Sequence, residues 1–529
     1  MTSVTELYFQ LVRCGDLNNI EKKLFLKIKK LKDNKIRDVN EFLTLYRLVG
    51  QTRDIICGKG ERDLSFLQIY VWYQFYPELA FSAFYQFIYP HSLTEKSYGS
   101  WKDIKTFCHF IKNKTKNEEH PLILFAINIM NYQLFIDYQS LSAKNPRVSL
   151  AGKWAPRQRS KMHWLFKKMA YQYYSYFFFK TKKFTKAKNA AKMYFRKILS
   201  TLNSFLNTPQ VLMSRQNWSK INFEKIPSKT LFNYRKSFLN ETKSKDRKIC
   251  SQNFKTFINK KKFISNKRCE IYEFVRAAFF ATNNDEIEFI NKQWKGLSSV
   301  DLGYGIPIID VGISSMKDNN VPLYNAIGLG IKIAENTRKP FKNRLMIYGG
   351  FPQWISFPTS TTFVEKVNII KEQIILSSAN IFFPIYLILN SFVKNNLPFN
   401  DVSKMVFYIL SGNNNSGRQN NIYTDIQQMF FDAGILSIGT PYYLPHFVFW
   451  NLYSTNFLPA NIRENNVTLV SGYTNNVFKI IKHKACKRCI PCDMVIEEET
   501  PKSKVNKILL NKRYDILANI ALKYISKII

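Results

Sequence analysis

The chain has 529 residues, of which 46% are hydrophobic and 22% charged, so it is long and apolar enough for two or three hydrophobic cores. That composition excludes a fully disordered protein, and the opening residues lack the basic stretch and apolar core of a secretory signal. The longest uncharged apolar run, Ile381–Val393, contains a proline and is too short to span a bilayer. Eight mostly scattered cysteines fit reduced thiols, so we expect a cytoplasmic protein with no membrane partner.

The formal charge of +40 is distributed unevenly along the chain. Residues 1–300 carry 54 Lys and Arg against 23 Asp and Glu, a net charge of +31, whereas residues 301–529 carry 24 against 15, a net charge of +9. An excess of this size favours a polyanionic partner, most often nucleic acid and less often a membrane surface or an acidic protein. An AT-rich genome is the alternative explanation, because codon bias alone raises the lysine content.

Up to about residue 290 the chain has the pattern of successive α-helices. Apolar and aromatic residues recur near helical spacing in Leu64–Tyr89, and Leu122–Leu141 is another long apolar helix. Ser100 followed by Asp103 is typical of a capped helix start. Repeated helix pairs of this kind predict a helical-repeat architecture, although the sequence shows no strict period.

Beyond Gly296 short apolar strands alternate with amphipathic helices. The predicted strands are GIPIIDVG, NRLMIYGG, KMVFYILSG, PHFVFWNLY and NNVTLVSGY. The predicted helices are YNAIGLGIKIAENTR, FVEKVNIIKEQI, IFFPIYLILNSFVKNN, IYTDIQQMFFDAG and a last one that begins in NVFKIIKHK. This alternation predicts a doubly wound, mainly parallel sheet, in which ligands bind at the carboxyl ends of the strands. The segment IIDVGISSM (Ile308–Met316) follows the first predicted strand at that edge.

Three regions follow from these patterns. Residues 1–295 are predicted to form a basic α-helical repeat domain, and residues 296–482 a doubly wound α/β domain. Residues 483–529 are predicted to form a basic, cysteine-containing C-terminal tail or helix. The fold class is therefore α plus α/β.

Many segments, in the same order along the chain, resemble one family. They are TRDIICGKGERDL, YGSWKDI, AGKWAPR, FRKILSTLN and IPSKTLFNYRKSF in the helical part, and PLYNAIGLGIKIAE, PFKNRLMIYGG, FVFWNLY and VTLVSGYT in the α/β part. Together they resemble an uncharacterised family of plants, fungi and large DNA viruses, and the Asn- and Lys-rich composition is most similar to the viral members. That family joins a HEAT-like helical-repeat region, similar to that of the Ro/TROVE RNA-binding proteins, to a von Willebrand factor A-like domain.

The resemblance covers roughly residues 40–480 and implies a function as well as a fold. Ro-like relatives bind RNA, so RNA is the implied partner, with the A-like domain available to a protein partner. No defined enzymatic reaction attaches to the family. For a viral member the expected location is the host cytoplasm or the virion.

The same resemblance implies an ion site, because von Willebrand A domains bind Mg²⁺ or Mn²⁺ through an Asp-x-Ser-x-Ser motif, a later threonine and a later aspartate. The candidate residues that this chain retains are Asp310, Ser314, Ser378 and Ser411. Three expected ligands are replaced, by Gly312, Ala379 and Gly412. So little negative charge does not offset the dehydration of Mg²⁺, and we expect a degenerate site without a cofactor. Asp310 then caps a loop or helix, or the loops form a metal-free surface for a partner.

The segment from Arg157 to Lys197 mixes cations with aromatic residues, a combination that neutralises phosphates and stacks exposed bases. The alternative is a helix whose aromatic residues, between Tyr171 and Phe179, lie in the core while its cations are solvated. The predicted nucleic-acid contacts are Arg157, Arg159, Lys161, Lys167, Lys168, Lys180, Lys182, Lys183, Lys186, Lys188 and Arg196.

GKGER (Gly58–Arg62) suggests a phosphate loop but lacks the required Gly-x4-Gly-Lys-Ser/Thr pattern after a strand. The cations in and just before this segment either contact RNA or form ion pairs with acidic residues close in sequence, and we expect the local ion pairs. The cations are Arg53, Lys59 and Arg62, and the acidic neighbours are Asp54, Glu61 and Asp63.

HKACKRCIPC places four possible metal ligands at every third position: His483, Cys486, Cys489 and Cys492. Four such ligands suit Zn²⁺ or an iron–sulfur cluster. Structural zinc sites usually join two distant pairs, however, and this run lies in a basic tail, so free thiols are the expectation.

The sequence contains no Ser–His–Asp, zincin, P-loop or paired-carboxylate signature, and His446 lies within a predicted strand, where we expect it in the core. We therefore predict a non-enzymatic RNA-binding, ribonucleoprotein-type protein whose A-like domain serves as a scaffold. The alternative is a structural or virion-associated interaction module that binds nucleic acid non-specifically. An enzyme whose site assembles only in space is the third possibility.

Overall fold

The computed structural model describes residues 3–13, 15–90, 95–177, 184–242, 244–264, 269–374, 377, 380–411, 422–453, 458–474, 476, 478 and 500–527. The helical pattern predicted for the first part of the chain is confirmed. Its helices are α1 (Val4–Gln10), α2 (Leu17–Asp33), α3 (Val39–Arg53), α4 (Asp63–Phe75), α5 (Pro77–Ile88), α6 (Lys102–Thr115), α7 (Pro121–Ser140), α8 (Ala151–Trp154), α9 (His163–Phe177), α10 (Phe184–Leu206), α11 (Pro209–Ser214), α12 (Ser228–Phe238), α13 (Lys245–Lys260), α14 (Ile271–Phe279) and α15 (Asn284–Lys295).

Short polar side chains set the starts of several of these helices. Asp38 precedes α3 and accepts the backbone N–H of Glu41 at 2.8 Å, which satisfies one of the donors that a helix leaves unpaired in its first turn. Near the predicted start of α6, the Asp103 carboxylate accepts the backbone N–H of Ser100 at 3.0 Å. The predicted helix start is therefore confirmed to within two residues.

The described residues of the second part of the chain form a six-stranded sheet with the order β3-β2-β1-β4-β5-β6. Its strands are β1 (Tyr304–Asp310), β2 (Arg344–Tyr348), β3 (Gln353–Ser356), β4 (Met405–Ser411), β5 (His446–Asn451) and β6 (Val467–Ser471). All neighbouring pairs are parallel except β2 and β3, which are antiparallel. The five predicted strands are confirmed. β3 was missed because it is a short, partly exposed edge strand with little apolar pattern.

Helices cover both faces of the sheet, which confirms the doubly wound arrangement. They are α16 (Lys317–Asn336), α17 (Phe363–Glu372), α18 (Phe382–Lys394), α19 (Phe399–Ser403) and α20 (Ile422–Ile438). Along β4, Tyr408 and Leu410 lie in the core with α16 and α17, whereas Phe407 and Ile409 lie in the core with α18 and α20. Successive side chains of a strand point to opposite faces, and a parallel sheet buried on both faces carries apolar residues at nearly every position.

The packing crosses the predicted boundary at residue 295. Helix α14 lies against α16, and a Cβ on Gly328 of α16 would stand 2.3 Å from Ile271 Cγ2, so the two helices approach as closely as side chains allow. Helices α12 to α15 share one hydrophobic core with a face of the sheet. The domain limits themselves stay predictions.

The chain ends in two helices that return to the first core: α21 (Pro501–Leu509) and α22 (Asp515–Ile525). Leu517 is fully buried, and a Cβ on Gly50 of α3 would stand 2.5 Å from its Cδ1. Lys504 of α21 donates to the Val467 carbonyl at 2.5 Å and to Thr468 Oγ1 at 2.6 Å, which ties α21 to β6. These last residues of the predicted tail therefore complete the core of the first helices.

Among the described residues, the helices are all too short or too polar to cross a bilayer.

Candidate nucleic-acid interface

A basic cleft of about 650 Å³ lies where α6, α8 and α10 meet α11 and α12. Its lining includes five cations and three aromatic side chains. The cations are Lys105, Lys153, Arg157, Arg196 and Arg215, and the aromatic residues are Trp154, Phe166 and Tyr234. The cleft therefore lies between helices of the first core and helices that pack toward the sheet.

Charge is unbalanced in this cleft. Of the described residues that line it, none is Asp or Glu, and none of its five cations lies within ion-pair distance of a described carboxylate. Arg215 donates to Ser204 Oγ at 2.7 Å and Arg157 to the Gly152 carbonyl at 3.3 Å, so both guanidinium groups have neutral partners. Clefts lined by one sign of charge concentrate counter-ions of the opposite sign, and this one attracts anions.

Three lysines lie around the indole ring of Trp154. The ammonium groups of Lys102, Lys105 and Lys153 lie 5.4, 5.0 and 5.5 Å from the centroid of its indole ring. Partial burial lowers the pKa of all three lysines. Neighbouring cations lower the pKa of two of them further, Arg62 acting on Lys102, and Lys102 and Arg157 acting on Lys105. Nearby positive charge therefore disfavours the charged forms of Lys102 and Lys105, and the Asp103 carboxylate partly offsets this effect at Lys102.

Two buried contacts hold the helices that carry these lysines. In α6, the Asp103 carboxylate accepts Arg53 Nη2 at 2.6 Å and Arg62 Nε at 2.9 Å, which fixes the first turn of the helix between Lys102 and Lys105. In α8, the carbonyl of Gly152 accepts Asn203 Nδ2 of α10 at 2.8 Å.

Glycine at position 152 allows α8 to lie close to α10. A Cβ there would stand 3.1 Å from Leu202 Cβ, so a larger residue would require a shift of a few tenths of an ångström between α8 and α10. The Gly-Lys-Trp sequence of α8 thus combines a close helix contact with two residues of the cleft.

The predicted nucleic-acid contacts divide among several places. Arg157 and Arg196 line the cleft, whereas Lys168 forms an ion pair with Glu119. Lys188 lies 5.8 Å from the ring centroid of Tyr171. Three others are exposed outside the cleft lining: Arg159, Lys161 and Lys167. Lys180, Lys182 and Lys183 and the side chain of Lys186 lie outside the described residues.

Four cations beside Trp154 or in the cleft were not predicted: Lys102, Lys105, Lys153 and Arg215. A signal for three of them was present in the sequence, since YGSWKDIK and AGKWAPR each place lysine next to tryptophan. For Arg215 the sequence holds no such signal.

The aromatic residues of α9 include core residues. Tyr173 is buried, with 2% of its surface exposed, and packs near Phe195 of α10. The core alternative is therefore correct for this residue, and the side chains from 176 to 179 lie outside the described residues.

At the carboxyl edge of the sheet, the structure brings Asp310 and Ser411 together. The Asp310 carboxylate is buried, accepts the backbone N–H of Gly312 at 2.9 Å and accepts Ser411 Oγ at 3.3 Å. Burial and the nearby Asp310 carboxylate raise the pKa of Tyr348 far above its usual value. The hydrogen bond to Gly312 is the loop-capping role that we expected for Asp310. Ser378 and the side chain of Ser314 lie outside the described residues.

The GKGER segment belongs to a buried junction, and the expectation of local pairing was wrong about the partners. Arg53 and Arg62 both pair with Asp103, as described above. Asp54 pairs with Arg513 at 2.6 Å, and Glu61 pairs with Arg13 at 3.0 Å. These partners are distant in sequence because the GKGER loop lies where three parts of the chain meet. They are the first helices, the segment just before α22 and the residues that follow β6.

Lys59 of the same segment is fully enclosed. Its ammonium group donates to the Tyr8 carbonyl, to the Leu11 carbonyl at 2.9 Å and to Ser471 Oγ at 2.7 Å. Burial lowers the pKa of Lys59 to about 7. With all three donors used and 1% of its surface exposed, this lysine joins α1 to the end of β6 and has no access to RNA.

Other candidate metal ligands fall into two groups. The described residues contain no group of three or more His, Cys, Asp or Glu side chains arranged to hold a metal ion. His483, Cys486, Cys489 and Cys492 lie outside the described residues. His446 is buried in β5, and its Nε2 lies 2.7 Å from Thr468 Oγ1, which confirms the predicted core position.

Two family descriptions match parts of this chain. Residues 305–509 match "Domain of unknown function (DUF7788)", and residues 124–297 match "Domain of unknown function (DUF2828)". The second match includes the cleft helices α8, α10, α11 and α12, and the first includes nearly all of the sheet.

A giant-virus protein is similar over most of the chain. "Uncharacterized protein L728" of Acanthamoeba polyphaga mimivirus is 24% identical over 464 residues, which cover 82% of this chain and 76% of that protein. The expected similarity to a protein of a large DNA virus is thereby confirmed.

One solved structure is also similar in part, the Deinococcus radiodurans RO (RSR) protein. The superposition covers 88% of this chain and 91% of that chain, with 10% sequence identity and a TM-score of 0.37. A TM-score of this size carries no conclusion about fold or function.

Proposed function

We propose that this protein binds RNA in the basic cleft and that it is not an enzyme. The observation that carries the proposal is the lining of the cleft, in which five cations and three aromatic side chains meet without a single described carboxylate. Lys and Arg neutralise phosphates, and aromatic faces stack exposed bases. The cleft offers both at one place.

The electrostatic free energy of the cleft favours the binding of an anionic ligand. Clustered cations that lack carboxylate partners and lie partly out of water destabilise the free protein. Arg presents a planar fork of donors to a phosphate and Lys presents a compact point charge, and the cleft contains both types. A cavity of about 650 Å³ is within the range that encloses a compact ligand, so it suits a few nucleotides of a single strand better than a wide duplex.

The remaining parts of the chain are proposed to act as a scaffold. We infer that the helical region is of the Ro/TROVE-like, HEAT-like type and that the sheet is a von Willebrand A-like domain with a degenerate ion site. The strand order β3-β2-β1-β4-β5-β6 supports a doubly wound domain. Asp310 supports the degenerate site, because its carboxylate already accepts Gly312 N–H and Ser411 Oγ.

The test is a binding titration with the full chain at several salt concentrations, using short single-stranded RNA, duplex RNA and single-stranded DNA. Saturable binding that prefers single-stranded RNA supports the proposal. Equal, steeply salt-dependent binding to all three would instead favour a structural or virion-associated module that binds nucleic acid non-specifically.

Variants connect the binding to the cleft. Arg157→Gln and Arg196→Gln are expected to weaken RNA binding, whereas Arg338→Gln is a matched control, because Arg338 is exposed and pairs with Asp301 away from the cleft lining. If the control weakens binding as much as the cleft variants do, the cleft is not the site.

A further inference from the structure

A row of aromatic side chains lies on the helical part of the chain. Tyr85 and Tyr89 are one turn apart at the end of α5, and their ring centroids lie 4.7 Å apart. Tyr89 also meets Trp101, just before α6, in an edge-to-face contact at 5.4 Å. On α7, Tyr132 precedes Gln133, whose Oε1 accepts the Tyr89 hydroxyl at 3.2 Å. We call Tyr85, Tyr89, Trp101 and Tyr132 the aromatic track.

Part of the aromatic track is open to solvent. Tyr85 is 43% exposed and Tyr132 is 61% exposed. By contrast, Phe84 and Phe87 of α5 are fully buried. Burial raises the pKa of Tyr89, and the nearby Tyr85 and Tyr132 raise it further, so the three hydroxyl groups lie in one region. Single exposed apolar residues are common, but a contiguous exposed group marks an interaction surface.

A chain of hydrogen bonds fixes the aromatic track relative to the basic cleft. Gln133 Nε2 donates to one carboxylate oxygen of Asp137 at 2.8 Å, and Ser149 Oγ donates to the other at 2.6 Å. The backbone N–H of Ala151 then donates to Ser149 Oγ at 3.1 Å. Ala151 is the first residue of α8, the helix that carries the cleft tryptophan. Because Asp137 is fully buried, this link lies beneath the surface.

The aromatic track also reaches the cleft along α6. Trp101 is followed directly by Lys102, whose ammonium group lies 5.4 Å from the ring centroid of Trp154. Trp154 itself lines the cleft. Aromatic rings therefore continue from Tyr85 to the cleft, with a cation between them. Single-stranded nucleic acids bind to surfaces of this kind, where cations follow the phosphates and aromatic rings stack successive bases.

We propose that the aromatic track extends the RNA-binding cleft as a stacking surface for the bases of a single strand. The proposal rests on the proposed RNA binding in the cleft and adds a second contact region to it. A strand whose phosphates lie among the cleft cations would place its following bases against Tyr85 and Tyr132. A duplex keeps its bases paired and stacked inside, so the aromatic track suits an unpaired strand.

The experiment compares three single-stranded RNAs of about twelve nucleotides. One has bases throughout, and the other two carry abasic sugars in the 5′ half or in the 3′ half, so that all three keep the same phosphates. Binding to the full chain is measured by fluorescence anisotropy. We expect one abasic strand to bind about fivefold or more weakly than the complete strand, because the bases on the aromatic track are missing.

Variants assign that loss to the aromatic track. Tyr85→Ala and Tyr132→Ala are each expected to weaken binding of the complete strand by about fivefold but to leave the affinity of the weaker abasic strand unchanged. Tyr85→Phe is expected to bind as the unaltered protein does, because the ring remains. The matched control is Tyr386→Ala, since Tyr386 is 60% exposed but lies on α18, which packs on the sheet. Thermal unfolding confirms that each variant is folded.

The outcomes separate this proposal from the RNA-binding proposal. Loss of affinity for the complete strand alone, in both alanine variants at positions 85 and 132 and not in the control, supports the aromatic track. Unchanged binding by both variants, or equal weakening of the complete and abasic strands, overturns it and leaves the exposed tyrosines to another occupant such as a protein. RNA binding in the cleft then stands if Arg157→Gln still weakens it, whereas no binding of any strand overturns both proposals.

Discussion

Replacing Asp103 with asparagine is expected to loosen the junction between the end of α3 and the start of α6. The carboxylate is fully buried and accepts Arg53 Nε at 2.9 Å, Arg53 Nη2 at 2.6 Å and Arg62 Nε at 2.9 Å. Asparagine keeps the shape but removes the charge and replaces one oxygen with a donor that faces other donors. The Arg53 guanidinium would then be buried without a carboxylate.

Most of the expected loss in folding free energy comes from Arg53, whose side chain is 2% exposed. Removing one partner of a buried pair costs about 3–5 kcal/mol because a buried charge is left uncompensated. Arg62 is 33% exposed, so its pair adds about 0–1 kcal/mol. We therefore expect a local destabilisation of about 3–5 kcal/mol, and because α6 carries Lys102 and Lys105, weaker RNA binding as well.

Amide hydrogen exchange measured by mass spectrometry reports this local change directly. A destabilisation of about 3–5 kcal/mol corresponds to exchange that is about a hundredfold to a few thousandfold faster in α3 and α6. Asp301→Asn is the matched control, because Asp301 and Arg338 pair at 2.5 Å but are 46% and 42% exposed. If Asp103→Asn accelerates exchange no more than this control does, the buried carboxylate does not hold the junction and the reasoning is refuted.

Three further predictions concern the cleft, the C-terminal helices and the sheet edge. Arg157→Gln or Arg196→Gln is expected to lower the slope of log Kd against log salt for single-stranded RNA by about 0.7 each, and an unchanged slope would contradict a phosphate contact. Leu517→Ala is expected to destabilise the first helices by about 2–5 kcal/mol, since Leu517 is fully buried against α3; thermal unfolding checks this, and an unchanged midpoint would show that α22 is dispensable. For the sheet edge, elemental analysis is expected to find no stoichiometric Mg or Mn, and bound metal that Asp310→Ala removes would contradict a degenerate site.

The sequence predicted part of the candidate site. Arg157 and Arg196 were identified because their segment mixes cations with aromatic residues, and both line the cleft. Lys168 belongs to the same segment, but it pairs with Glu119 in the loop between α6 and α7. The local sequence pattern does not reveal this partner. Lys105 and Lys153 lie beside one tryptophan although they are 48 positions apart in sequence, so their proximity is visible only in three dimensions.

The sequence by itself determined local features, namely which segments form strands and which of their residues are buried. Runs of apolar residues predicted five of the six strands, because a strand buried on both faces carries apolar side chains at nearly every position. The partly exposed edge strand β3 carries no such run and was missed. His446 was placed in the core for the same reason, from its position within a strand.

Only the tertiary structure decided which distant elements meet. Asp54 pairs with Arg513, Lys59 hydrogen-bonds Ser471, and Leu517 packs on Gly50, although each pair is separated by more than four hundred positions along the chain. Contacts of this kind depend on how whole helices pack. A buried arginine or lysine needs a partner, but the local sequence does not show which distant group the fold places beside it. The basic cleft follows from the same cause: the excess of lysine was evident from the sequence, but its concentration beside Trp154 results from the packing of α6 against α8.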